Sequence, residues 1–203
     1  MSKLPPNPDD YDYDFSSPNT GLFLEILNEQ EEIPIEEERI RCVCEKILAD
    51  ARIMSGRLGV VIVDNETIHH LNKDFLQHDY PTDVISFQVE SEPESGHLEG
   101  EVIASAEMAQ NRAPEFGWSV KEELILYIIH GLLHLVGFDD RTAEDSKIIR
   151  EKERYYLRHA GFEPNDLGFE SEMEYDPIDE TSPLLEEKGE LFLRLYDENT
   201  GKN

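Results

Sequence analysis

Ser119-Val120-Lys121-Glu122-Glu123-Leu124-Ile125-Leu126-Tyr127-Ile128-Ile129-His130-Gly131-Leu132-Leu133-His134-Leu135-Val136-Gly137 reads as one helix that is apolar nearly all round. Ser119 followed by Glu122 is a capping-box signature for its start, and Gly137 is well placed to stop it. A helix without a polar face has no solvent side, so it lies in the core. Into that helix the chain sets His130 and His134, four residues apart and therefore stacked on one face. Two histidines at this spacing are compatible with core residues satisfied by hydrogen bonds. Yet two imidazoles in apolar surroundings are costly without partners, and a metal ion is a partner that uses both. Asp139 and Asp140 arrive just past the Gly137 turn, where one carboxylate can supply a third ligand. A fourth position then stays open to water, as in catalytic rather than structural zinc sites.

Upstream, Leu22 to Leu27 is a strand candidate, and Ile35 to Ala51 places Ile40, Cys44, Ile47 and Leu48 at helical spacing. Gly59 to Val63 reads as a buried strand. Asn65 is a candidate cap for a helix Thr67 to Phe75, and Val84 to Phe87 alternates as a strand. Glu90 to His97 reads as a hairpin connection into a strand Glu101 to Ala104. Ala106 to Ala113 reads as a helix bounded by Pro114 and Gly117. Downstream, Thr142 to His159 is a charged helix whose predicted inner face carries Ile148, Ile149, Tyr155 and Leu157, and Gly161 ends it. The pattern predicts a mixed α/β domain over 21–162: a sheet of about four strands covered by helices, with the histidine helix buried at the centre.

The formal charge of -28 on 203 residues is extreme. Residues 1–20 carry -3 and residues 165–203 carry -9, leaving -16 in the centre. The Pro- and Asp-rich start and the acidic end bury too little apolar surface to fold alone, so 1–20 is expected to be a disordered arm and 163–203 a mostly disordered tail. Within that tail only Glu190 to Tyr196 alternates. An acidic chain does not bind polyanions through its overall field, so a nucleic-acid role needs a local patch. Cys42 and Cys44 diverge on a helix, exclude a disulfide framework and are expected to be buried thiols. Without a signal-like start or an apolar run of about 18 residues, the expected location is cytoplasmic, with no membrane partner.

The His130/His134 spacing also resembles the HExxH motif of zinc peptidases. Gly131 stands where that motif has its general-base Glu, which disfavours peptidase chemistry. The longer stretch His130-Gly131-Leu132-Leu133-His134-Leu135-Val136-Gly137-Phe138-Asp139-Asp140 resembles the HGxLHLxGYDH signature of the YbeY family of metal-dependent endoribonucleases. Leu71-Asn72, Phe75 and His78-Asp79-Tyr80-Pro81-Thr82-Asp83-Val84-Ile85-Ser86-Phe87 are similar to that family's LN…DxPTDVLSF segment. Gly100 to Ser105 is similar to its GDIxIS strand.

This resemblance covers roughly residues 20–162. It implies one zinc ion held by His130, His134 and Asp140, and cleavage of single-stranded RNA. It also implies a role in maturing the 3′ end of small-subunit (16S) rRNA and in ribosome quality control, with the ribosome or ribosomal proteins as partners. The alternatives are a zinc metallopeptidase-like hydrolase and a non-enzymatic, metal-stabilised ribosome-associated binding protein.

Two positions depart from the family pattern. Asp140 takes the place of a third histidine, and a carboxylate donor makes a bound ion a weaker Lewis acid than an imidazole would. Leu76 takes the place of an arginine, for which His78 is a candidate catalytic substitute beside His130 and His134; the alternative for His78 is a solvated loop residue. Thr82, Asp83, Ser86 and Arg141 are candidate substrate-binding residues, with turn chemistry as the alternative for Thr82 and Asp83. Ser105 and Glu107 are candidate supports beside the metal, although Glu107 also suits a first-turn helix acid. The interleaved charges Glu144, Asp145, Glu151 and Glu153 predict a solvated face for the last helix, whose bases run from Lys147 to Arg158.

Overall fold

The computed structural model describes residues 21–92 and 95–164. The predicted arm 1–20, and the predicted tail from residue 165 on with its alternating stretch 190–196, lie outside the described residues.

Four strands, β1 (Gly21–Asn28), β2 (Ser55–Val63), β3 (Val84–Glu92) and β4 (His97–Ser105), form one sheet in the order β1-β2-β4-β3. The first three in that order run parallel, and β3 runs antiparallel to β4. The parallel pairs require crossovers. Helix α1 (Glu37–Asp50) makes the first, and α2 (Asn65–Leu76) lies on the route from β2 to the β3/β4 hairpin. Helices α3 (Ala106–Phe116), α4 (Val120–Leu135) and α5 (Ala143–His159) follow. The predicted architecture, a four-stranded mixed sheet covered by helices, is the one observed.

Strand alternation divides the sheet into two faces. Leu58, Val60 and Ile62 of β2, with Leu98, Val102 and Ala104 of β4, enter the main core together with α1, α3, α4 and α5. Val61, Val63, Ile85 and Ile103 point the other way into a smaller cluster under Ile68 of α2. Helix α4 is buried along nearly its whole length, as its sequence requires. Each of its fully buried Leu and Ile side chains stabilises the fold by roughly 1.5–3 kcal/mol. The capping box is formed: the Glu122 N–H donates to Ser119 Oγ at 3.3 Å, and the Ser119 N–H donates to Glu122 Oε2 at 3.0 Å.

Several local expectations are corrected. Asp64 rather than Asn65 caps α2, accepting the Thr67 N–H at 2.7 Å. Helix α3 runs through Pro114 to Phe116; Pro114 is exposed and lies in the last turn, where the carbonyl it leaves unbonded can face water. On α5 the buried residues are Ile149, Glu153, Tyr156 and Leu157, whereas Ile148 and Tyr155 are exposed. The doublets Ile148-Ile149 and Tyr155-Tyr156 make the period ambiguous by one position. Cys42 is exposed, and only Cys44 is buried, where desolvation pushes its thiol up to about 12.

One acid on α4 carries a pH dependence. Glu123 is buried, and burial is the largest influence that pushes it up to about 7; a hydrogen bond from Tyr127 opposes the rise and the charge of Asp83 adds to it. Because the folded value exceeds the ordinary 4.5, folding retains a proton that the unfolded chain releases. The associated stability is present at low pH and lost as pH rises through about 7. Glu123→Gln is therefore expected to stabilise the chain by ~1–3 kcal/mol at pH 8 and to match wild type near pH 5. Denaturant unfolding of both proteins at the two pH values checks this, and equal stabilities at pH 8 would refute it.

Candidate metal centre

The centre is built from the end of α4 outward. Gly137 adopts φ 96°, a conformation that favours glycine. Its N–H bonds to the His134 carbonyl at 3.0 Å, and the Phe138 N–H bonds to the Leu133 carbonyl at 3.0 Å. This pair of bonds is a Schellman turn, and it folds the chain back over its own last helical turn. The Phe138 carbonyl consequently meets His134 Nδ1 at 3.1 Å. A carbonyl can only accept, so Nδ1 carries the proton and His134 Nε2 presents a lone pair.

His130 is set from the other side. Its Nδ1 lies 2.7 Å from Oε1 of Glu153 on α5. Glu153, predicted to be solvated, is only 3% exposed. The signal for it was present in the sequence: Ile149, Glu153, Tyr156 and Leu157 follow helical spacing, and the acid belongs to that inner stripe. With the proton on Nδ1 directed at this carboxylate, His130 Nε2 also presents a lone pair.

The two Nε2 atoms lie 3.0 Å apart. Oδ2 of Asp140, just past the turn, lies 3.9 Å from His130 Nε2 and 4.0 Å from His134 Nε2. Tetrahedral zinc with bonds near 2.0–2.2 Å separates its ligand atoms by roughly 3.3 Å, a value these three distances bracket. Asp140 Oδ1 is buried without a hydrogen-bond partner. Converging lone pairs and an unpartnered buried carboxylate oxygen are costly by themselves and suit a divalent cation. His130, His134 and Asp140 thus fit a metal, and among the described residues no further Cys, His, Asp or Glu joins them.

Protonation follows the same geometry. Burial disfavours the His130 imidazolium, but Glu153, with the charges of Asp83 and Asp140, outweighs it and raises the group above its ordinary value. Burial and the adjacent His130 lower His134. Glu153→Gln keeps an acceptor for His130 but removes the charge. It is expected to weaken zinc affinity about tenfold, measured by competition with a coloured chelator. Unchanged affinity would show that Glu153 only fills space.

The three groups line a cleft of about 610 Å³, shared with His78, Tyr80, Thr82, Asp83, Ser86 and Arg141. The candidate ligands, His78 and the candidate substrate-binding residues therefore line one cleft, with different local commitments. His78 stacks on Tyr80, with ring centroids 5.4 Å apart and planes within 8°. Asp83 Oδ1 accepts the Val84 N–H at 2.8 Å and the Thr82 hydroxyl at 3.0 Å, so the turn chemistry and the cleft position coexist. Ser86 Oγ donates to the Gly131 carbonyl at 2.9 Å. Arg141 pairs with Asp139. Leu76 lines the cleft, and Arg150 of α5 adds a cation beside it. Ser105 and Glu107 are not cleft residues: Ser105 Oγ donates to Asn65 Oδ1 at 2.8 Å, and Glu107 accepts the Asn65 N–H at 3.1 Å, tying α3 to α2.

Gly131 lies directly under strands β3 and β4. A Cβ there would come within 2.8 Å of Ser86 Oγ and 2.9 Å of the Val102 and Val84 methyls. The position that carries the general base in HExxH enzymes is here pressed against a sheet, with no room for any side chain.

Comparison with known proteins bears on the same residues. The sequence profile of the family described as Endoribonuclease YbeY matches residues 25–161. The chain belongs to the YbeY endoribonuclease family. A YbeY endoribonuclease of Rhodopirellula baltica is 40% identical over 158 residues, covering 72% of this chain and 80% of that protein. A YbeY endoribonuclease of Carboxydothermus hydrogenoformans is 36% identical over 142 residues, covering 68% and 98%. The solution structure of TM1509 from Thermotoga maritima superposes with a TM-score of 0.51 at 26% identity, covering 76% of this chain and 99% of that one. The YbeY match contains the candidate metal centre and the cleft residues from Leu76 to Glu153.

Proposed function

We propose that this chain is a single-strand-specific, metal-dependent endoribonuclease that uses one zinc ion in maturation of the 3′ end of small-subunit rRNA and in ribosome quality control. The observation that carries the reading is the convergence of His130 Nε2, His134 Nε2 and Asp140 Oδ2 on one point of an open cleft. Zinc bound there would polarise a phosphoryl oxygen and activate water for phosphodiester hydrolysis. The protein's own residues supply the rest. Glu153 and the Phe138 carbonyl hold both imidazoles in the ligating tautomer. Arg141 and Arg150 offer charge to phosphates, and Thr82 and Asp83 shape the wall beside them. Tyr80, exposed and stacked on His78, gives an unpaired base a surface to stack on, which duplex RNA cannot use.

The acidic chain restricts how RNA arrives. Free RNA gains little from its overall field, so the proposed setting is a cytoplasmic ribosomal assembly that orients the strand. Among the described residues no helix is long and apolar enough to cross a membrane. Elemental analysis, with cleavage of single-stranded RNA before chelation, after it and after zinc is restored, tests the reading. The expected result is one zinc per chain, activity lost on chelation and regained with zinc, and duplex RNA left intact. Bound metal without RNA cleavage would favour the non-enzymatic binding protein, and turnover of casein would revive the peptidase.

A further inference from the structure

Among the described residues β1 has no strand on its outer side. The Glu29 N–H donates to the Ile62 carbonyl at 2.8 Å, which turns the odd-numbered residues of β1 toward β2. Leu22, Leu24 and Ile26 therefore present their N–H and C=O groups outward. An open edge of this kind is a template for another strand. Beside it, Phe23 is 73% exposed, on the sheet face that carries the α2 cluster but outside that cluster. The same face carries Glu25, Glu99 and Glu101 against Arg57, an excess of acid next to an apolar ring.

The chain contains a segment that matches this edge. Leu22-Phe23-Leu24-Glu25-Ile26-Leu27 and Leu191-Phe192-Leu193-Arg194-Leu195-Tyr196 share their alternation residue for residue, with Arg194 at the position of Glu25. Parallel, in-register pairing would set Phe192 beside Phe23 and Arg194 beside Glu25, and would continue the core-side row of Leu22, Leu24 and Ile26 with Leu191, Leu193 and Leu195. The last described residues leave the body close by. Phe162 lies under the Arg39 guanidinium at 4.7 Å, and two residues further along α1, Arg41 reaches the Leu24 carbonyl at 3.1 Å. Residues 165–189 can span roughly 80 Å when extended, far more than this separation requires. Arg41 also contacts Glu37 at 3.0 Å, which gives it a partner when the Leu24 carbonyl is taken.

We propose that residues 190–196 add to the outer edge of β1 as a fifth strand, covering Phe23 and pairing Arg194 with Glu25. In this register the Arg194 N–H is the one that faces the Leu24 carbonyl, so the test is residue-resolved hydrogen exchange on the full chain and on full-length Arg194→Pro and Arg194→Glu. Proline removes that N–H from the ladder whereas glutamate keeps it and reverses the charge, and the substituted position lies outside the described residues. The outward amides of Leu22, Leu24 and Ile26 are expected to exchange at least about tenfold faster in Arg194→Pro, and less markedly faster in Arg194→Glu, while the amides of β2 stay unchanged. Equal rates in wild type and Arg194→Pro would overturn the proposal. So would protection that falls on dilution of the wild type, because a second copy of the chain would then hold the edge.

Discussion

Replacing His134 with alanine should leave the purified chain without stoichiometric zinc and cut cleavage of single-stranded RNA by at least ~10³-fold, equivalent to about 4 kcal/mol of transition-state stabilisation. The substitution removes one of three converging ligand atoms, and two remaining protein ligands hold zinc poorly at neutral pH. It is also the cleanest of the three ligands to remove. His134 gives up a hydrogen bond to the Phe138 carbonyl and its Nε2 approach to His130 and Asp140, and no carboxylate depends on its Nδ1. His130→Ala, by contrast, strands the carboxylate of Glu153 at 3% exposure, and an unpaired buried charge destabilises the fold as well as the site. The pair therefore separates two effects. Both variants should lose metal, but His130→Ala should unfold at a lower denaturant concentration than His134→Ala when both are compared without zinc. Retention of one zinc by His134→Ala, or cleavage within tenfold of wild type, would remove the metal assignment.

What the sequence disclosed follows from how local each determinant is. Helix α4, its capping box and its glycine stop depend on residues a few positions apart, and the structure contains all three. The convergence of His130, His134 and Asp140 is equally local, being one helical turn and one reversal of the chain. Strand order was not legible, because it depends on register between segments separated by crossovers. Glu153 escaped for a different reason. Its neighbours Glu151, Lys152 and Arg154 give it the composition of a solvated face, and only its phase relative to Ile149 and Leu157 marks it as buried. A charged residue in an apolar stripe is a stronger signal than its charge suggests, since burial demands a partner. Here the partner is the imidazole of His130. Leu76, set by the resemblance against an expected arginine, lies on the cleft wall, with Arg141 and Arg150 on the same cleft.

Gly131→Ala is expected to destabilise the chain by ~2 kcal/mol, lowering Tm by roughly 5 °C, and Gly131→Glu to prevent folding. Helix propensity alone favours alanine over glycine by about 1 kcal/mol, so a stabilising result would be predicted at an open helical position. Position 131 is not open. The added Cβ meets Ser86 Oγ at 2.8 Å and β-branched methyls of Val84 and Val102 at 2.9 Å, on strands that cannot yield without disturbing the sheet. Helix α4 must then lift, carrying His130 and His134 away from Asp140, so zinc affinity should fall together with stability. That coupling distinguishes a packing role from loss of a chemical group, because Gly131 has no side chain to lose. It also gives a physical reason for the absence of the peptidase glutamate: the close approach of helix to sheet that aims both histidines at the cleft leaves no volume for it. An alanine variant as stable as wild type with unchanged zinc affinity would show that the helix can shift freely, and the geometric argument against peptidase chemistry would fall with it.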